Sequence, residues 1–252
     1  MGMALHSLGK RLARFLSRER TELQALIPTS AAQLRAHLQT GDVLLVEGSS
    51  RASSAIKFLT QSTWSHAALY VGDEAAAAPG VAQGACLIEA DMVEGVRAVC
   101  LEAYAGLHTR ICRPFGLDEN ERRAVARYAV QRIGHQYDLR NIFDLLRYLL
   151  PVPPIPGRLR KHLLALGSGD PTRAICSTLI AQAFPSIRYP ILPQVSLRAA
   201  QGADCPDCVE EVFRLRHHSL FTPRDFDVSP YFQVIKPATL DAGFDYKSLH
   251  WE

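Results

Sequence analysis

Long apolar runs are missing from this chain. Two of its longest uncharged stretches, residues 75–88 and 174–187, are 14 residues each and contain polar side chains. A helix of that length is too short to cross a bilayer. An apolar signal core is missing too, because Lys10 and Arg11 interrupt the first apolar stretch. A strong charge bias is absent: 28 Lys+Arg against 25 Asp+Glu leave a net charge of +3. That balance gives no reason to expect a nucleic-acid partner. The six cysteines among 252 residues are far fewer than a disulfide scaffold needs. These absences predict a soluble cytoplasmic protein, with neither a signal peptide nor a transmembrane segment. What is present is ordinary for a folded chain, with 48% hydrophobic and 21% charged residues. Wholly disordered and collagen-like chains are thereby excluded.

The chain opens on a basic amphipathic segment. Leu5, Leu8, Leu12, Phe15 and Leu16 recur at helical spacing over residues 4–24, and Lys10, Arg11, Arg14 and Arg18 take the other positions. Such a stripe packs on a domain or lies on a membrane surface. A second helix is expected over 30–39, with Ser30 as cap and Gln33 completing a capping box. Residues 1–40 are therefore read as a helical extension and 41–252 as the main domain. Strands are expected near 41–48, 64–72, 86–90, 96–101 and 109–113, with a helix over 51–60. Residues 73–84 read as a surface loop. Helical patterns follow at 118–133 (capped by Asp118 with Glu121), 141–150, 159–166 and 174–184. Residues 185–208 read as loop, Thr222-Pro223-Arg224-Asp225 as a turn, and 231–235 as a late strand.

Three residues stand out for chemistry: His66 on a strand, Glu89 on the next strand and Cys176 near a helix start. A thiolate is the nucleophilic form of cysteine, and a helix N-terminus favours it. An imidazole in reach can take the thiol proton and later protonate a leaving group. A carboxylate on a neighbouring strand can fix the imidazole tautomer. Each residue also has a plain reading. Taken alone, Cys176 has the profile of a buried small hydrophobe and His66 that of a structural histidine. Glu89, between Ile88 and Ala90, calls for an edge position or an arginine partner.

A family resemblance joins the three. Gly41-Asp42-Val43-Leu44-Leu45-Val46 followed by Thr63-Trp64-Ser65-His66-Ala67-Ala68-Leu69-Tyr70-Val71-Gly72 resembles the opening of circularly permuted papain-like, NlpC-type cysteine hydrolases of the YiiX/YebB-like branch. The similarity continues at Ile88-Glu89-Ala90, Gly95-Val96-Arg97, Gly134-His135-Gln136-Tyr137-Asp138 and Ile175-Cys176-Ser177-Thr178-Leu179-Ile180. Thr222-Pro223-Arg224-Asp225-Phe226 resembles the closing stretch. The resemblance implies an α+β fold, with an antiparallel sheet packed on helices and the histidine and acid preceding the cysteine. It further implies Cys176 as nucleophile, His66 as general base and acid, and Glu89 as orienting residue. The Cys176 backbone N–H would help to hold an oxyanion. Trp64 and Tyr137 are candidates to line the substrate cleft. Asp91, two positions from Glu89, competes for the third role because it shares that face. The 73–84 loop departs from the pattern as an insertion, and residues 4–24 lie outside it.

Cys205-Pro206-Asp207-Cys208, followed by His217 and His218, leaves three readings: a zinc site, a redox pair or inert loop cysteines. A lone C-x-x-C at this spacing is not a standard finger, so no metal or other cofactor is expected. The leading functional expectation is a cysteine hydrolase that cleaves a peptide or acyl-amide bond through a thioester. The alternatives are a lipid-acyl hydrolase or acyltransferase touching a membrane through residues 4–24, and a non-catalytic lipid- or peptide-binding module.

Overall fold

The computed structural model describes residues 28–91, 93–136, 175–199 and 209–237. Helix α1 spans Ala31–His37. Ser30 accepts from the Gln33 amide and Gln33 returns the bond, as the capping-box spacing predicts. Strand β1 (Val43–Val46) leads into α2 (Arg51–Thr60), and β2 spans His66–Tyr70. Hairpin β3 (Leu87–Asp91) and β4 (Gly95–Val99) follows, then β5 (Thr109–Pro114) and α3 (Glu119–Val130). Asp118 and Glu121 close the capping box of α3. Helix α4 (Ile175–Ala183), β6 (Gln194–Ala199), β7 (Val209–Arg214), α5 (Pro223–Asp227) and β8 (Phe232–Ile235) complete the elements used below.

Six strands form one antiparallel sheet in the order β4-β3-β2-β1-β5-β8. Alternation divides its side chains between two clusters, because successive strand residues point to opposite faces. Val43, Leu45, Ala67, Leu69 and Ile88 join α3 and α4 in the larger one. Leu44, Val46, Ala68, Leu87 and Ile111 join Leu34 and Leu38 in the smaller one, with Leu101 and Tyr104 from the 3-10 helix Leu101–Tyr104. Residues 29–38 thus pack on the sheet, and Thr29 N donates to Leu107 O at 3.0 Å. A buried ion pair ties the same end of the sheet, with Arg113 Nη2 2.7 Å from Asp42 Oδ2.

Three segments differ from the sequence reading. Residues 73–84 contain a 3-10 helix, Gly72–Ala77, whose Ala75 is buried. The 222–225 turn starts helix α5, because Asp225 bonds the Thr222 amide and hydroxyl in a capping box. The stretch read as loop over 185–208 contains β6, which pairs with β7 from Gln194↔Arg214 to Ala199↔Val209. Its alternation, Val195 and Leu197 against Ser196 and Arg198, escaped notice among the flanking prolines and glycine. The helices expected over 4–24, 141–150 and 159–166 lie outside the described residues. No helix among the described residues is long and apolar enough to cross a membrane.

The C-terminal end of α4 is anchored by aromatic packing. Phe184 is fully buried, 5.2 Å from Phe232 and 5.6 Å from Tyr189 between ring centroids. Phe184→Ala is expected to lower the unfolding free energy by about 3–5 kcal/mol. Urea denaturation checks it, and a loss below about 1 kcal/mol would show that α4 is held elsewhere.

Candidate active site

His66 is the first residue of β2 and sits opposite Val46. Ala68, two residues on, faces Glu89 of β3, and Glu89 faces Arg97 of β4. His66, Glu89 and Arg97 therefore share one face of three adjacent strands. On that face His66 Nε2 lies 2.5 Å from Glu89 Oε2. Arg97 Nε donates to Glu89 Oε1 at 2.7 Å. The Tyr104 hydroxyl donates to Glu89 Oε2 and lies 3.0 Å from His66 Nε2. The carboxylate is almost enclosed, with 5% of its side chain exposed against 24% for His66.

Cys176 is the second residue of α4 and is buried. Its Sγ is 3.9 Å from Ser65 O, the residue just before β2. The thiol thereby reaches the start of β2, beside the residue that precedes His66. Nε2 is engaged by Glu89 and Tyr104, and Nδ1 is the ring nitrogen left over for a second partner. Ser65 is itself fixed: its N–H donates to Val46 O at 3.1 Å and its Oγ accepts from Gly48 N at 2.9 Å.

The electrostatics follow from this geometry. Burial disfavours a charged imidazole, but the interactions of the ring with Cys176 and Glu89 outweigh it. His66 is raised to about 10. Burial likewise works against ionised Glu89; the His66 and Tyr104 hydrogen bonds and the Arg97 charge win, and Glu89 falls to about 2. Burial and the adjacent carboxylate push the Tyr104 phenol well above its ordinary range. Glu89 is therefore a fixed anion at neutral pH. Geometrically, this histidine–carboxylate pair beside a helix-borne thiol can deprotonate the thiol and return the proton to a leaving group.

The structure places the other sequence candidates elsewhere. Trp64 precedes Ser65 but is only 2% exposed. Its Nε1 donates to Asp227 Oδ2 at 3.1 Å, and the Arg110 guanidinium lies 4.9 Å from its ring centroid. It is buried beside His108, with ring centroids 5.0 Å apart, and presents no open face. Asp91 points at the β3–β4 turn, where Oδ1 accepts from Val93 N at 2.7 Å and Glu94 N at 2.8 Å. It does not compete with Glu89. Tyr137, Cys205 and Cys208 lie outside the described residues, and His217 Nδ1 is 2.8 Å from Ser219 Oγ. Cys112 is buried in β5, while Cys86 and Cys100 flank β3 and β4 as half-buried free thiols.

Two residues of this cluster escaped the sequence reading. Arg97 had a signal: a short hairpin turn after Asp91 places it opposite the unexplained Glu89. Tyr104 had none, because it arrives on a 3-10 helix with no periodic pattern.

Fold and cluster together define an α+β arrangement, in which the histidine and acid strands precede the cysteine helix. Residues 37–145 match the model of a family described as permuted papain-like amidase enzyme, YaeF/YiiX, C92 family. The match takes in His66 and Glu89 and ends before Cys176. Among solved structures, the chain is similar to one described as metalloprotein YiiX from Escherichia coli O157:H7. The identity is 18% and the TM-score 0.45, over 78% of this chain and 96% of that one. No curated protein matches.

The pair makes stability depend on pH in opposite senses. Glu89 is lowered from 4.5 to about 2, so its contribution is present above pH 4.5 and disappears as pH falls toward 2. His66 is raised from 6.5 to about 10, so its contribution is complete below pH 6.5 and disappears as pH rises through 10. The thermal midpoint is expected to fall below pH 4.5, and Glu89→Gln is expected to flatten that acid limb. A variant curve that keeps the wild-type acid limb would place the titrating group elsewhere.

Proposed function

We propose that this protein is a cysteine amidase, cleaving a peptide or acyl-amide bond through a thioester on Cys176. What supports the reading is the His66–Glu89 pair, with the Cys176 thiol at the start of α4 lying 3.9 Å from Ser65 O, one residue before His66. His66 takes the thiol proton, and the sulfur attacks the carbonyl carbon. The tetrahedral oxyanion is stabilised by backbone N–H groups, that of Cys176 among them. His66 then donates its proton to the departing amine, leaving the acyl group on sulfur. Water attacks the thioester with His66 as base, and the acid is released with the thiol restored. Glu89 holds the ring and balances its charge throughout.

A second substrate class is favoured by the basic amphipathic segment 4–24: lipid acyl groups presented at a membrane surface. In that reading the same thioester forms from a lipid ester, and water or another acceptor takes the acyl group.

A panel of N-acyl p-nitroanilides and p-nitrophenyl esters of increasing chain length separates the two. Cys176→Ser and Cys176→Ala are expected to reduce turnover of every active member by at least about 10³-fold. Cys176→Ala retaining full rate would end both readings. If residues 1–24 carry a membrane contact, deleting them reduces flotation with anionic phospholipid vesicles; unchanged flotation removes that contact.

A further inference from the structure

We propose that Tyr104 is a positioning residue of this site, holding Glu89 and through it the His66 ring. The inference rests on the hydrolase reading above and adds a residue that motif spacing does not reveal. Glu89 has two oxygens to restrain. Oε1 is held by Arg97, whose side chain is 39% exposed. Water competes for such a donor, so this bond alone restrains the carboxylate poorly. Oε2 receives His66 Nε2 and the Tyr104 hydroxyl, and Tyr104 is only 7% exposed.

Two donors converging on one enclosed oxygen stop the carboxylate from swinging toward Arg97. The phenol ring also bounds the imidazole directly, with centroids 5.9 Å apart and planes tilted by 35°. The backbone fixes the phenol in turn. Leu101, at the start of the same 3-10 helix, is buried in the smaller core cluster, and Leu107 N donates to Tyr104 O at 3.3 Å. Tyr104 touches neither the thiol nor the attacked carbonyl in this scheme. It acts by engaging Nε2, which leaves Nδ1 for a second partner.

Hydrolysis of p-nitrophenyl acetate tests this, because that ester reports on the nucleophile and makes little demand on a substrate cleft. Tyr104→Phe removes one oxygen and is expected to lower kcat about tenfold with KM unchanged. In a Glu89→Gln background the same substitution is expected to change kcat by less than about twofold, since the group it acts through is gone. An unchanged kcat in Tyr104→Phe, or an equal loss in both backgrounds, overturns the proposal. So does a rise in KM alone. Wild-type hydrolysis no faster than that of Cys176→Ala instead removes the nucleophile reading, and the Tyr104 role falls with it.

A thermal melt confirms that each variant folds. If Tyr104→Phe does not, 15N NMR of the wild-type protein decides. Slow exchange of the His66 Nε2 proton with water supports a ring held from that side. Rapid exchange overturns the proposal.

Discussion

The bond between His66 Nε2 and Glu89 Oε2 is the contact around which the rest of the molecule is arranged. It joins two strands through an ionisable pair in a setting that excludes most water. An isolated carboxylate at 5% exposure would be costly. Here three donors surround it, from β2, from β4 and from the 3-10 helix after β4. The anion is thereby made permanent, and a permanent anion fixes which imidazole nitrogen faces inward.

Strand register makes that bond available. β2 and β3 pair with Ala68 opposite Glu89, so His66 reaches the acid diagonally on the same face. A slip of one residue would turn Glu89 to the other face, among the apolar side chains that receive α3 and α4. The β3–β4 turn guards against such a slip. Gly95 has φ +80°, and a Cβ there would come within 2.4 Å of His135 O. That close approach lets Val96 N donate to His135 O at 3.0 Å and Gly134 N donate to Val96 O at 2.8 Å. The turn and the end of α3 are thus fastened to each other.

Much of this was legible in the sequence, and the exceptions have physical causes. Capping boxes at Ser30 and Asp118 depend on two residues three apart, so spacing reveals them. The main strands carry apolar residues that the core needs, so their alternation is strong. β6 and β7 place Val195, Leu197 and Phe213 at the surface, each at least half exposed, and the pattern is hard to tell from loop. The chemistry split the same way. His66, Glu89 and Cys176 sit in short motifs and were found together. Tyr104 reaches the same carboxylate through a turn of 3-10 helix, and only coordinates place it there. Trp64 is a candidate for the cleft wall by resemblance, but its ring is buried. Its indole N–H found Asp227, 163 positions away in the chain, and drew the ring inward.

Chain order has a bearing on biosynthesis. His66, Glu89, Arg97 and Tyr104 all lie within the first half of the protein, and their strands pair with near neighbours in sequence. The thiol comes from a helix 110 positions after the histidine. A chain emerging from the ribosome completes the acid–imidazole half while the sulfur is still unmade. The two halves meet where α4 packs against β2 and β3, a contact between segments far apart in the chain. A copy that ends before α4 therefore carries the His66–Glu89 pair without Cys176.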